Sequence, residues 1–148
     1  MIAVIQRVLN ANVKVDGNIC GKIDKGLVVF LGVKANDTEK DAELLANKIG
    51  KLRIFSDEND KMNLSVTDIC GKILAISNFT LLANYKKGNR PDYLNAEKPE
   101  RANYLYEHFC NAVATYVPVE KGMFGEDMKI DVLNDGPINI VMDSEVLK

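Results

Sequence analysis

The apolar positions change period several times along the chain, and each change marks an element. Met1–Leu9 is apolar except for Gln6 and Arg7, which predicts a strand. Ala11–Val15 alternates, with Val13 and Val15 on one face and Asn12 and Lys14 on the other. Asp16-Gly17-Asn18 is a turn signal and Ile19–Ile23 resumes the pattern, so this region predicts a hairpin. After Asp24-Lys25-Gly26, the run Leu27–Leu31 is apolar at every position, as in a central strand covered on both faces. Asn36–Asp41 opens a helix: Thr38 and Asp41 have capping-box spacing, and Ala42, Leu45, Ile49 and Leu52 then share one face. Ser56–Lys61 is a polar loop, and Ile73–Leu82 predicts another buried strand. A second helix starts near Pro99, a residue suited to a first helical turn. Its stripe is Ala102, Leu105, Tyr106, Phe109, Ala112, Val113 and Tyr116, and Pro118 stops it. Met128–Val132 and Ile138–Met142 predict two more strands, separated by Asn134-Asp135-Gly136-Pro137.

Many strands and two helices, without regular β-α-β alternation, predict a single α+β domain over residues 1–148. The expected arrangement is layered, with mostly antiparallel sheets in a barrel-like form and the two main helices packed on one side. A chain of 148 residues can bury one sizeable core. Its 47% hydrophobic and 27% charged residues are an ordinary globular balance. The net charge of -2 argues against holding nucleic acid by bulk positive charge, while leaving room for a local basic patch. Three cysteines, far apart and without a C-x-x-C, fit a reducing cytosol better than a disulfide framework. Met1–Asn10 lacks the features of a signal peptide, and no apolar run is long enough to span a bilayer. The expectation is a cytoplasmic protein with no membrane partner.

The lone histidine, His108, sits off the apolar stripe of the second helix and reads as a solvated residue. A Ser-His-Asp hydrolase is therefore not expected, and H-E-x-x-H zinc chemistry, a Walker loop and a dinucleotide fingerprint are absent. An enzyme built from this inventory must rely on positioning, backbone dipoles, hydroxyls or a group of the substrate. Two segments stand out. At the far end of the buried strand, alternation sends Asn78 and Thr80 to one face and Ser77 and Phe79 to the other, and the cations Lys86, Lys87 and Arg90 follow. On residue type alone, Thr80 reflects β-propensity and the cations are solvated loop charge. The second segment, Asn134–Pro137, reads first as a hairpin turn, although a Gly-Pro bond is one that can be cis.

Taken in order, these motifs resemble those of the D-aminoacyl-tRNA deacylase family over essentially the whole chain. Ala3–Val8 is similar to the family's N-terminal strand and Gly26–Gly32 to its central strand. Ser77-Asn78-Phe79-Thr80-Leu81 resembles its S-Q-F-T-L signature, Lys87–Pro91 its K-G-x-R-P loop, Gly122–Gly125 with Met128 its G-x-F-G segment, and Asn134–Pro137 its N-x-G-P motif. Asn78 stands in place of glutamine, and Ile138-Asn139 in place of Val-Thr.

The resemblance implies hydrolysis of the ester of D-aminoacyl-tRNA, and of glycyl-tRNA, by a homodimer with no metal or other cofactor. It implies that Gly136 and Pro137, joined by a cis bond and steadied by Arg7, reach into the neighbouring subunit's pocket as a chiral filter. Ser77, Asn78, Phe79 and Thr80 would line that pocket, with backbone N–H groups near Phe79 and Thr80 holding the oxyanion. Lys86, Lys87 and Arg90 would meet phosphates of the tRNA end. Two other readings stay open from the residues: a non-catalytic RNA- or nucleotide-binding domain, and a hydrolase of a different small ester or amide.

Overall fold

The computed structural model describes residues 1–148. Its first strand, β1 (Ile2–Val15), is one unbroken strand of 14 residues. The two segments expected on either side of Asn10 belong to it. β1 pairs antiparallel with β3 (Gly26–Gly32) along its first half and with β2 (Asn18–Ile23) along its second half. Its burial changes phase on the way. Ala3 and Ile5 enter one apolar cluster, whereas Val8, Ala11 and Val13 enter another. Val8 stands opposite Ala3 and Ile5 by ordinary alternation, and between Val8 and Asn10 β1 gains one residue on β8, which turns its faces over and puts Ala11 and Val13 on the side of Val8.

β3 continues into α1 (Glu39–Gly50), a short hairpin of β4 (Phe55–Ser56) and β5 (Met62–Leu64), and then β6 (Lys72–Ser77). β6 lies parallel to β3. α2 (Pro99–Val113) then carries the chain to β7 (Val119–Lys121), parallel to β6. Parallel pairs require crossovers of this kind, so the sheet is mixed: antiparallel around β1, parallel where a helix intervenes. The strand order is β2-β1-β3-β6-β7, and β2 curls back toward β7 so that the sheet nearly closes. Gly21 permits that approach, because a Cβ there would lie 2.7 Å from the Lys121 carbonyl oxygen.

The apolar run Leu27–Leu31 behaves as its composition predicts. Leu27, Val29 and Leu31 face the helices, and Val28 faces the interior of the curled sheet. β6 divides likewise, Ile73 and Ala75 against Leu74 and Ile76. α1 contributes Ala42, Leu45, Ala46 and Ile49, and α2 contributes Leu105, Tyr106, Phe109 and Val113. Fully burying a side chain such as Leu45 or Phe109 stabilises the fold by about 1.5–3 kcal/mol, which fixes both helices on one side of the sheet. Tyr106 satisfies its buried hydroxyl by donating to the Ala75 carbonyl at 2.9 Å.

Two expectations change. The strand predicted over Ile73–Leu82 ends at Ser77, and Phe79–Leu82 forms a 3-10 turn. The ladder stops because Leu31 is the last β3 partner, and the Asn78 N–H makes the closing bond to its carbonyl at 2.8 Å. Leu81 and Leu82 are apolar because the turn packs on Gly32. The hairpin reading of Asn134–Pro137 also fails. Met128–Val132 and Ile138–Met142 fall within one strand, β8 (Lys129–Asp143), which pairs with β1 on both sides of that motif. Asp135–Ile138 is thus an excursion from a continuous ladder. No helix is long and apolar enough to cross a membrane.

A polar cluster ties the ends of the fold to α1. The Met1 ammonium donates to Asp37 Oδ1 at 2.8 Å and to Ser144 Oγ at 2.7 Å. The Ser144 hydroxyl donates to Asp41 Oδ1 at 2.8 Å, and Lys148 Nζ lies 2.8 Å from the same oxygen. Asp41 also accepts from the N–H and hydroxyl of Thr38, both at 2.9 Å. Desolvation alone would raise the Asp41 pKa, but the hydrogen bonds from Lys148, Thr38 and Ser144 outweigh it and hold the carboxyl well below its ordinary 3.8. A carboxylate with a depressed folded pKa stabilises above its unfolded pKa and loses that contribution as pH falls through the folded one. Stability should therefore fall below about pH 3.8 in the native chain and fall less steeply in Asp41→Asn. Denaturant midpoints between pH 7 and pH 2.5 check this, and parallel curves for the two proteins would contradict it.

Candidate active site

A candidate site lies at the break after Ser77. β3 and β6 run parallel and end side by side, and the chain turns sharply after each. A cleft of about 820 Å³ opens there. Its floor is Ile76–Thr80, one wall is the strap from Tyr93 to Pro99 that leads into α2, and the other is Phe124–Met128, which leads into β8. The structure thus brings together Ser77, Asn78, Phe79 and Thr80, as the sequence suggested, and adds Phe124, Gly125 and Met128 from the Gly122–Gly125 motif. Gly122 allows Met128 to fold inward, because a Cβ at 122 would stand 2.6 Å from its sulfur.

Asn78 is extended, with φ -146° and ψ 90°. It converts the strand into the 3-10 turn. As opening residues of a helical turn, Phe79 and Thr80 have N–H groups with no acceptor one turn back. Asn78 and Thr80 do share a side, for a reason other than strand alternation: the Thr80 hydroxyl donates to Asn78 Oδ1 at 2.6 Å. The Phe79 ring meets Tyr93 edge-to-face, with centroids 4.9 Å apart and planes at 72°. Tyr93 carries no signal in the sequence, because the strap that holds it has no hydrophobic period.

Neither histidine nor cysteine lines the cleft. His108 pairs instead with Glu43 across the helices at 3.0 Å. Cys110 is buried in the core, where desolvation pushes its thiol up to about 12, so it stays protonated. Among the cleft's acids, Glu97 faces Arg101 at 3.8 Å and accepts from the Asn36 and Lys98 N–H groups. Asp127 pairs with Lys129 at 2.9 Å. Glu126 is exposed and makes no ion pair. No group of three His, Cys, Asp or Glu side chains is arranged to hold a metal ion.

The remaining expected site residues lie outside this cleft. Lys86, Lys87 and Arg90 are exposed on a loop closed at its base by backbone bonds between Asn84 and Asp92. Gly136 and Pro137 are exposed on the β8 excursion, joined by a cis bond. That excursion is firmly anchored. Asn134 Nδ2 donates to the Arg7 carbonyl at 2.9 Å and to the Ile138 carbonyl at 3.2 Å. Arg7 Nε lies 3.3 Å from the Asp135 carbonyl and 3.2 Å from its carboxylate, while Nη1 donates to the Ile54 carbonyl at 2.8 Å. The Arg7 side chain is 12% exposed, so these bonds form largely out of water.

Residues 4–143 match a family described as D-Tyr-tRNA(Tyr) deacylase. Over 147 residues the chain is 52% identical to the D-aminoacyl-tRNA deacylase of Sulfurihydrogenibium sp. (strain YO3AOP1), covering 99% of this chain and 100% of the relative. It is 53% identical, over the same shares, to the protein of that name from Persephonella marina (strain DSM 14350 / EX-H1). A solved structure described as c-Myc DNA Unwinding Element Binding Protein superposes with a TM-score of 0.91 at 39% identity, covering 97% of this chain and 98% of that one. A second, described as a probable eukaryotic D-amino acid tRNA deacylase, has the same fold, with a TM-score of 0.80 at 15% identity over 96% and 98% of the two chains.

Proposed function

The chain belongs to the D-Tyr-tRNA(Tyr) deacylase family, and from that premise we propose that it hydrolyses the ester of D-aminoacyl-tRNA, and of glycyl-tRNA, in the cleft at the end of β6. The observation that carries this reading is a strand-end cleft floored by Ser77–Thr80 that offers helical-turn N–H groups and no histidine or cysteine. Such a site suits a substrate that brings its own activating group.

In this reading the terminal adenosine and its aminoacyl group occupy the cleft. Water adds to the ester carbonyl, the oxyanion is held by N–H groups at Phe79 and Thr80, and the acyl–O3′ bond breaks as O3′ takes a proton. The substrate's 2′-hydroxyl positions the water. Thr80 lines the pocket and is not a covalent nucleophile, because its hydroxyl donates to an amide oxygen rather than to a base. Two copies of the chain associate, and Gly136-Pro137 of each enters the other's cleft. Backbone carbonyls there exclude an L side chain and admit a D side chain or the hydrogen of glycine. Support for a filter acting outside its own subunit comes from the loop's position: it is exposed, held by Arg7 and Asn134, and does not line its own cleft. A filter made of backbone is indifferent to which D side chain it passes.

The primary test is parallel hydrolysis of D-tyrosyl-tRNA and L-tyrosyl-tRNA by the purified protein, with and without chelator. Loss of the D ester alone, at the same rate in chelator, is expected. Equal loss of both esters would remove the chiral filter, and loss of neither by folded protein would remove the catalytic reading. Lys86 and Lys87 are assigned to tRNA phosphates because the chain's ion pairs leave them free. Reversing both to glutamate should raise KM for D-aminoacyl-tRNA about ten-fold at low salt with kcat unchanged, and the gap should close as salt rises. Steady-state kinetics at two salt concentrations measure this, and an unchanged KM would move the phosphates elsewhere.

A further inference from the structure

The loop between the two halves of the cleft carries more than charge. Thr80 and Tyr93 both line the cleft, and the chain between them leaves at Asn84 and returns at Asp92. Four large apolar side chains are exposed from Phe79 to Leu94: Phe79 at 58%, Tyr85 at 75%, Tyr93 at 36% and Leu94 at 86%. A single exposed apolar residue needs no explanation, but here Phe79 and Tyr93 meet at the cleft while Tyr85 and Leu94 stand outside it, close in sequence to Lys86, Lys87 and Arg90. Against these three cations the loop carries one carboxylate. Asp92 is turned toward the loop base, where its oxygens accept from Asn84 Nδ2 at 3.1 Å and the Leu94 N–H at 3.2 Å.

A second cavity, of about 460 Å³, is lined by Leu81–Ala83 and Leu94-Asn95 together with Ile2 and Lys34–Asn36. It stands back to back with the cleft, since the neighbouring residues Phe79-Thr80 and Tyr93 face the cleft itself. Aromatic faces interleaved with unpaired cations beside a groove are the chemistry of single-stranded nucleic acid recognition: rings stack on bases, cations follow phosphates, and neither reads a duplex.

We propose that the surface Tyr85–Leu94 docks the unpaired nucleotides that precede the terminal adenosine of the tRNA, with the Tyr85 ring as a stacking face for one of their bases and Lys86, Lys87 and Arg90 on the intervening phosphates. This rests on the deacylase reading of the cleft and extends it: the terminal adenosine is held in the cleft, the preceding nucleotides outside it. The role of Tyr85 is positioning, because it touches no reacting atom.

The test compares two substrates, D-tyrosyl-tRNA and a D-tyrosyl ester of adenosine alone, in the native protein, Tyr85→Ala and Tyr85→Phe. Tyr85→Ala should raise KM for the tRNA about five- to ten-fold with kcat unchanged, leave kcat/KM for the adenosine ester unchanged, and be restored by phenylalanine. An unchanged KM for the tRNA would overturn the proposal and leave the surface to a protein partner. Equal losses on both substrates would also overturn it, because the effect would then lie in the cleft. Native protein inactive on both esters would overturn the deacylase reading itself, an outcome distinct from either.

Discussion

A D-aminoacyl-tRNA whose terminal adenosine lacks its 2′-hydroxyl should be hydrolysed at least about 100-fold more slowly, with KM little changed. The expectation follows from what the cleft contains. Its hydroxyl nearest the turn, on Thr80, donates at 2.6 Å to the Asn78 amide oxygen, which is no base. Glu97 is engaged by Arg101 and two backbone N–H groups, and Asp127 by Lys129. The one histidine of the chain is committed to Glu43 between the helices. In the proposed reaction the group that positions water is the substrate's own, and general acid–base assistance of this kind contributes about 10²–10⁴-fold. Two substitutions make the test decisive. Thr80→Ala should cost less than about ten-fold, because it removes a lining group; a covalent nucleophile would cost orders of magnitude more. Glu126 is the cleft acid left without an ion pair, and Glu126→Gln should cost less than about three-fold. Single-turnover hydrolysis with ribose and 2′-deoxyribose ends measures all of this. A 2′-deoxy end cleaved at the native rate, together with a 100-fold loss in Glu126→Gln, would transfer the role to that carboxylate.

The parts of this site that could be read from residues are those governed by local chemistry. Leu27–Leu31 announced a strand covered on both faces because every position was apolar, and β3 indeed sits between β1 and β6 with both faces buried. Pro99 fixed the start of α2, and Thr38 with Asp41 the start of α1, since proline geometry and a three-residue oxygen-to-N–H spacing act within one turn. What stayed hidden depends on partners far along the chain. Leu81 and Leu82 extend the apolar run of β6, so hydrophobicity alone cannot show that the ladder stops at Ser77; that is decided by where β3 runs out. Asn134–Pro137 has turn composition, but β1 pairs on both sides of it and makes it an excursion rather than a hairpin. The unbroken β1 was concealed by its register slip after Val8, which reverses the alternation that reveals a strand. β4, β5 and β7 are two or three residues long, too short to show a period. At the site, the Ser77–Thr80 cluster was legible as polar residues at a buried strand's end, whereas Tyr93 and Glu97 become neighbours only through the return of the chain at Asp92.

Gly136→Ala should lower the preference for D-tyrosyl-tRNA over L-tyrosyl-tRNA at least about ten-fold and slow hydrolysis of the D ester as well. Gly136 has φ +126°, a conformation that L side chains rarely adopt. A Cβ there would stand 2.9 Å from Ile138 Cγ1 and 3.0 Å from the Ile138 backbone nitrogen. The side-chain atom can move, but the nitrogen belongs to a segment held by Asn134 at the Arg7 and Ile138 carbonyls and by Arg7 at Asp135. The loop must therefore shift as a body. The proposed rejection by contact is sensitive to such a shift, because displacing a positioned group by about 1 Å costs on the order of 100-fold in rate, and the clash proposed to exclude an L side chain would relax with it. Gly136 itself is exposed and outside the core cluster, so the protein should still fold. Arg7→Ala is the complementary probe. It removes the bonds to Asp135 and Ile54 without altering the Gly-Pro backbone, and should shift the preference in the same direction by a smaller factor. Single-turnover rates on the two esters, with sedimentation to record association of the chains, read both effects. A folded Gly136→Ala protein with an unchanged ratio of D to L rates would remove the loop from the filter and return chiral selection to the walls of the cleft.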